Sequence, residues 1–383
     1  MIPLSQRKLP ALDGVRGLAI LAVMFAHVYS QRLPLPHVVR DVFHVGWCGV
    51  DLFFALSGFL ITGILLDTRL CANYFRSFYA RRFLRIFPLY YSFLLVALLV
   101  LPHLVPAQAM PAKSDRWLYV CYLANWQQLL HWPNHVLEHF WSLSVEEQFY
   151  FVWPMVVFLL GPRRLLPVAL GLELALLGVR SYWPWAVGTD LATSAISGFV
   201  RIDSLLLGAA AAVIVRQFQI SRSIIRSLPG IAALFFSTFL AGLTLLGYRQ
   251  REVFTQSVGY AMLAVSFAAL VLYAAISDGQ PSWQQAAMRW KPLVLFGKYS
   301  YGIYVFHVPV FYLMDQSARH LPPVLRHSLA FSYSFIALKF AVAFVIAALS
   351  YNFFEKRFLA LKDRFAPVYR ETPAAAIAVA QVG

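Results

Sequence analysis

Residues 12–28 read LDGVRGLAILAVMFAHV, an apolar run of membrane-crossing character that carries an arginine, Arg16, and a histidine, His27, eleven positions apart. Eleven helical steps return the azimuth to within about 20° and climb about 16 Å, so the two polar groups face the same way at different depths. Ionisable groups inside a span are costly in lipid and look into a protein interior or a wet cavity, which makes this face a candidate functional surface.

The composition extends that reading to the whole chain. Of 383 residues, 60% are hydrophobic and 13% charged, and the mean hydropathy is +0.65, whereas soluble domains carry about a quarter charged residues. The fold class expected is all-α, a polytopic transmembrane bundle of about ten helices. They are expected near 11–30, 45–66, 84–104, 138–160, 164–183, 197–216, 227–247, 256–276, 294–315 and 331–354. The fourth to sixth are interrupted by Trp, Pro and polar residues. The membrane domain covers 9–358, and 359–383 reads as a cytoplasmic, largely disordered tail, Ala-rich after Phe365. The longest connection, 105–137, is rich in Pro, Trp and His and is expected on the outer face.

A net charge of +15 invites a nucleic-acid partner, but its placement argues against one. With both termini inside, the inner connections and tails hold roughly twenty Lys and Arg against roughly nine outside, which positive-inside bias explains. Anionic headgroups account for the remainder of the excess. Arg7 and Lys8 precede an apolar run as in a signal peptide, yet Asp13 and Arg16 break that run and the span continues, so an uncleaved first helix is expected. Cys48, Cys71 and Cys121 form no CxxC and no paired framework, giving neither a metal site nor a disulfide scaffold.

Five further segments carry chemistry. In GVDLFFALSGFLITGILL (49–66), Asp51 lies near the outer end and requires a partner, while Ser57 and Gly58 near mid-membrane suit close helix packing. In RSFYARRFLRIFPLYY (76–91), Arg81 and Arg85 stand one turn apart and Arg82 three residues from Arg85. Such a cluster suits a polyanion through bidentate guanidinium contacts, and equally an ordinary topology anchor. EHFWSLSVEEQFYFVWP (138–154) holds adjacent Glu146 and Glu147, turned about 100° apart, so one of them looks inward and at most one is catalytic. His139, just ahead of that span, reads as an interfacial or capping residue. Arg201 and Asp203 in RIDSLLLG (201–208), two apart, bond to other helices rather than to each other. His307 in YGIYVFHVPV (301–310) lines a cavity or makes an interhelical hydrogen bond.

Together these segments resemble, in order, the acyltransferase-3 family of bacterial integral-membrane acyltransferases. The likeness runs from Arg16 with His27 through GVDLFFALSGFLI, RRFLRIFPLYY, WSLSVEEQFYFVWP, RIDSLLLG and SYGIYVFHVP to LSYNFFEKRF at 349–358. One fragment alone is weak; seven in order are strong. The resemblance implies a multi-pass protein of the bacterial inner membrane that moves an acyl group, usually acetyl, from cytoplasmic acyl-CoA to a hydroxyl of a sugar or glycolipid, with no metal. It assigns His27 and Glu146 to catalysis and Arg16, Arg81, Arg82 and Arg85 to the donor. Many relatives carry an added hydrolase domain of the SGNH type; this chain is expected to lack one, which favours direct transfer over a two-domain relay.

The residues fit that chemistry. Acyl-CoA is a polyanion on a long thin arm, so its transfer across a bilayer needs cations at the inner mouth and a base at the far end of a narrow cavity. Histidine has the pKa to serve as that base, and Glu146 is expected to hold the imidazole, as carboxylates do in hydrolytic triads, or a neighbouring arginine in place. The acceptor stays open among lipopolysaccharide O-antigen, other polysaccharides, lipid-linked oligosaccharide, lipo-oligosaccharide and secreted macrolide. Two competitors remain. A secondary transporter or lipid-linked sugar flippase needs broken helices in pseudosymmetric positions, and none is visible. An intramembrane serine protease using Ser57 and His307 lacks an oxyanion hole in the sequence.

Overall fold

The computed structural model describes residues 9–28, 43–130, 136–187, 201–245, 253–326 and 328–368. Among the described residues there are helices and no strands, as the bilayer demands of a chain that must satisfy its backbone internally. Among the described residues nine long helices organise it: α1 (Pro10–Val28), α2 (Gly49–Thr68), α3 (Tyr74–Val100), α4 (Phe140–Val187), α5 (Asp203–Gln217), α6 (Arg222–Leu245), α7 (Tyr260–Ile276), α8 (Lys291–Ala318) and α9 (Leu329–Ser350). Seven helical stretches among the described residues are long and apolar enough to cross a membrane. The chain is therefore a multi-pass membrane protein built as an all-α bundle.

Helix α4 is two arms. Gly161, at φ 65°, breaks it into the expected fourth and fifth spans, a conformation that favours glycine. Arg69 Nε and Nη2 donate to the Phe158 carbonyl at 3.1 and 2.8 Å and so satisfy the end of the first arm.

Two backbone contacts set the centre of the bundle. A Cβ on Gly17 would stand 1.9 Å from the Leu293 carbonyl oxygen, and one on Gly58 2.0 Å from that of Leu205. Helix α1 thus lies directly against α8, and α2 against α5, through small residues. Around this core run buried ion pairs. Arg201 donates to Asp51 at 2.6 Å, Arg180 bonds Asp203, and Lys339 meets Asp315 at 2.6 Å. Arg201 and Asp203 therefore find partners on different helices, as their two-residue spacing requires.

Two expectations need correction. Helix α3 starts at Tyr74, ten residues before the expected 84, and runs through Arg76, Arg81, Arg82 and Arg85. No glycine or proline interrupts it before Pro88, and Arg, Phe, Tyr and Ala sustain a helix there. The sixth span, expected at 197–216, is seen as α5 from Asp203; 188–200 lie outside the described residues. The connection 105–137 contains the short helices Arg116–Val120 and Ala124–Leu130 and tucks into the bundle. Tyr90 and Tyr91 donate from α3 to its Tyr119 and Val120 carbonyls at 2.7 and 2.9 Å. Residues 131–135 of that connection are outside the described set.

The segment assigned to the tail is structured as far as 368. Lys356–Ala360 is helical, and Leu361–Phe365 forms a 3-10 turn. It binds the start of α3: Ser77 Oγ donates to the Phe365 carbonyl at 2.7 Å and Asn73 Nδ2 to that of Ala366 at 2.8 Å. Residues 369–383 are outside the described set.

Candidate active site

The start of α3 and the start of α1 frame one end of the bundle, here called the basic end. A cavity of about 580 Å³ opens there, lined by Arg16, Arg81, Arg82, Arg85, Lys298 and Lys362 among others. Its carboxylates are few and engaged: Asp13 accepts from Arg16 at 2.8 Å, and Glu355 accepts from Ser350 at 3.1 Å. Among the described residues Arg81, Arg82 and Arg85 make no ion pair. Guanidinium groups that line a cavity without a carboxylate partner leave hydrogen-bond donors open to an anion.

A narrower cavity of about 190 Å³ continues inward. Both spaces share Arg16, Ile61, Ile64, Arg82, Arg85 and Tyr301 as walls. Glu146 borders the inner one, and its Oε1 accepts hydrogen bonds from Ser57 Oγ on α2 and from Tyr150 OH one turn along α4. Arg82 lies over the Tyr150 ring, 3.9 Å from its centroid. The chain Arg82, Tyr150, Glu146, Ser57 thus ties α3, α4 and α2 together at mid-depth. The inner cavity ends at Ser142 and Tyr304, whose hydroxyls bond one another; Tyr304 OH also donates to the His139 carbonyl at 3.0 Å.

Beyond that hydroxyl pair three imidazoles meet. The His139 and His307 rings are 5.1 Å apart, His27 and His307 4.8 Å, and His27 and His139 6.4 Å between centroids. His307 Nδ1 faces the Tyr304 and Ile303 carbonyls at 2.7 and 3.1 Å. Two acceptors there assign the proton to His307 Nδ1 and leave its Nε2 an acceptor. His27 Nδ1 faces the Val23 carbonyl at 2.8 Å and His307 Nε2 at 3.3 Å, both acceptors. His27 therefore carries its proton on Nδ1 and its basic lone pair on Nε2.

The six candidate residues are thus placed in three positions. Arg16, Arg81, Arg82 and Arg85 come together at the mouth, and Arg16 has Asp13 as its ion-pair partner. His27 stands past the Ser142–Tyr304 pair, in ring contact with His139 and His307. Glu146 is not beside it: its hydrogen bonds go to Ser57 and Tyr150. Among the described residues, the Val23 carbonyl and His307 Nε2 hold His27 Nδ1. His139, read from sequence as a cap, joins the cluster, and the Ser142 and Tyr304 hydroxyls were missed. A signal for both existed: His139 and Ser142 are three apart, as are Tyr304 and His307, so each pair shares a helix face.

The chain is similar to known acyltransferases. Residues 9–351 match a family model described as an acyltransferase domain. The peptidoglycan O-acetyltransferase OatA of Listeria monocytogenes is 28% identical over 376 residues, covering 92% of this chain and 56% of that protein. The putative peptidoglycan O-acetyltransferase YrhL of Bacillus subtilis is 29% identical over 371 residues, covering 91% and 55%. The O-acetyltransferase OatA of Staphylococcus aureus is 29% identical over 328 residues, covering 80% and 51%. The chain spans about half the length of these curated relatives. No solved structure matches it.

Proposed function

The chain belongs to the acyltransferase-3 family, and from that premise we propose that it is an integral-membrane O-acyltransferase that moves an acetyl group from acetyl-CoA to a hydroxyl of a carbohydrate such as peptidoglycan or a glycolipid. One observation carries this reading: the arginine-lined mouth and the narrow inner cavity share walls and lead to a hydroxyl pair directly beneath three histidines.

The division of labour follows from that order. Arg81, Arg82 and Arg85 hold the donor's phosphates at the mouth, where the planar fork of each guanidinium matches phosphate oxygens. The pantetheine arm lies in the inner cavity, past Arg16 and Glu146, and brings the thioester to Ser142 and Tyr304. In this structure the two hydroxyl protons are engaged by one another and by the His139 carbonyl, and the thioester oxygen takes over one of those bonds as it gains negative charge. His27 Nε2 takes the proton of the acceptor hydroxyl, the oxygen bonds to the thioester carbon, the carbon–sulfur bond breaks, and the imidazolium returns the proton to the leaving thiolate. With the N-terminus in the cytoplasm, the donor enters from the cytoplasm and the acceptor meets the histidines at the opposite face of the inner membrane.

Purified protein in proteoliposomes, given acetyl-CoA and a peptidoglycan fragment, tests this reading. Acceptor-dependent release of free thiol with an acetyl mass on the sugar is expected. Acetyl-CoA left intact across a range of glycan acceptors would overturn it.

A further inference from the structure

Between the first half of α3 and the first arm of α4 the flank of the bundle holds another cavity, of about 630 Å³. That volume is within the range of small-molecule sites. Its walls are apolar, with Phe83, Phe151 and Val152 exposed at the rim and Phe87 deeper. In a membrane-spanning bundle such a rim faces hydrocarbon.

Its floor is of a different character. Glu147 borders it and has no hydrogen-bond or ion-pair partner among the described residues. The buried Nε of Arg82 and the buried hydroxyl of Tyr122 also lack hydrogen-bond partners. Tyr122 is held at φ 54° between the short helices Arg116–Val120 and Ala124–Leu130, a conformation uncommon for a residue with a side chain. Its ring stacks on Tyr90 and Phe87 at 4.1 and 5.4 Å, and Gln148 Nε2 donates to its carbonyl at 2.8 Å. The connection therefore reaches the depth of α3's middle turns as irregular backbone. At that depth irregular backbone persists only where protein buries it or where it lines a cavity.

We propose that this groove binds a single-chain amphiphile with an uncharged, hydroxylated head, taken sideways from the half of the bilayer nearer the basic end. One cation and one carboxylate leave the floor near neutral, so a charged head gains little. Adjacent hydroxyls satisfy every orphan at once: they donate to Glu147 and accept from Arg82 Nε and Tyr122 OH. A phosphate answers the two donors but sets an anion beside Glu147. The chain lies along Phe83, Phe87 and Phe151. Arg82 and Glu147 also wall the inner donor cavity, so the head reaches that cavity's flank. The proposal concerns binding and stands independently of the acyl-transfer reading.

An octyl glucoside carrying a diazirine in its chain, photolysed with the full protein in phosphatidylcholine vesicles, tests it by mass mapping of adducts. Adducts concentrated around Phe83–Phe87 and Phe151–Val152 are expected, competed by octyl glucoside and not by octyl phosphate. Ala80→Trp, which fills the groove, abolishes them, and Val152→Trp, on the lipid-facing rim, does so if the first variant folds poorly. Tyr122→Phe weakens competition about fivefold, the loss of one hydrogen bond. Adducts spread evenly over lipid-facing helices, equal competition by octyl phosphate, or adducts unchanged in both tryptophan variants would overturn the proposal.

Discussion

His307 Nε2 stands 3.3 Å from His27 Nδ1, and both rings have their Nδ1 atoms turned to backbone carbonyls of their own helices. This pairing joins α1 to α8 and fixes which nitrogen of His27 is basic. In this role His307 is a positioning residue: it acts through His27.

Replacing His307 with Phe removes the acceptor at Nε2 and frees the His27 ring to turn. The expected result is a kcat lower by roughly tenfold or more with the acetyl-CoA KM little changed. His307→Gln, which keeps a hydrogen-bonding side chain there, restores part of the rate. A donor KM that rises in step with the loss would place His307 in donor binding.

At the mouth, Arg82→Lys and Arg85→Lys keep charge and lose the planar fork. The acetyl-CoA KM is expected to rise roughly tenfold with a smaller change in kcat. Steady-state thiol release on the properly inserted fraction checks it. Altered insertion with an unchanged KM would make these arginines topology anchors.

Glu146 binds Ser57 and Tyr150, so Glu146→Gln disturbs the wall of the donor cavity. It is expected to lower kcat more than donor affinity, and to lower it more than Glu147→Gln does. Equal, stable activity in Glu146→Gln would remove Glu146 from the site. Loss of folded protein with unchanged turnover per molecule would make it structural.

The backbone contacts make a stability prediction. Gly208 faces the Ala55 carbonyl oxygen with only 2.1 Å for a Cβ, while Gly178 has nothing within 4 Å. Gly208→Ala is expected to cost on the order of 1–3 kcal/mol, as overpacking does, and Gly178→Ala to be neutral or stabilising. Thermal unfolding in detergent compares them, and equal midpoints would contradict the close α2–α5 contact.

Much of the bundle was legible because apolar length and helical period are local signals. The start of α3 at Tyr74 was not, since a cluster of arginines reads as the edge of a span even where a helix carries it past that edge. The face shared by Arg16 and His27 was legible from their spacing alone. Their neighbours were not: His307 lies 280 positions from His27, and only tertiary packing of α1 on α8 brings them together. The partners of Arg201 and Asp203 were likewise invisible, although the spacing did show that they would not pair with each other. Glu146 was expected to hold His27 or a neighbouring arginine, and the helix packing sends it to Ser57 and to Tyr150, over whose ring Arg82 lies.

The most direct test of the account is the rate of acceptor-dependent thiol release by His27→Ala protein, normalised to correctly folded molecules in the membrane. A base that accepts the acceptor's proton contributes about a hundredfold or more, so the account predicts at least that loss with acetyl-CoA still bound at the arginine mouth. Trapping of acetyl on His27 by acetyl-CoA alone would assign it a covalent role in the same site. Near-wild-type turnover in the folded variant would contradict the account.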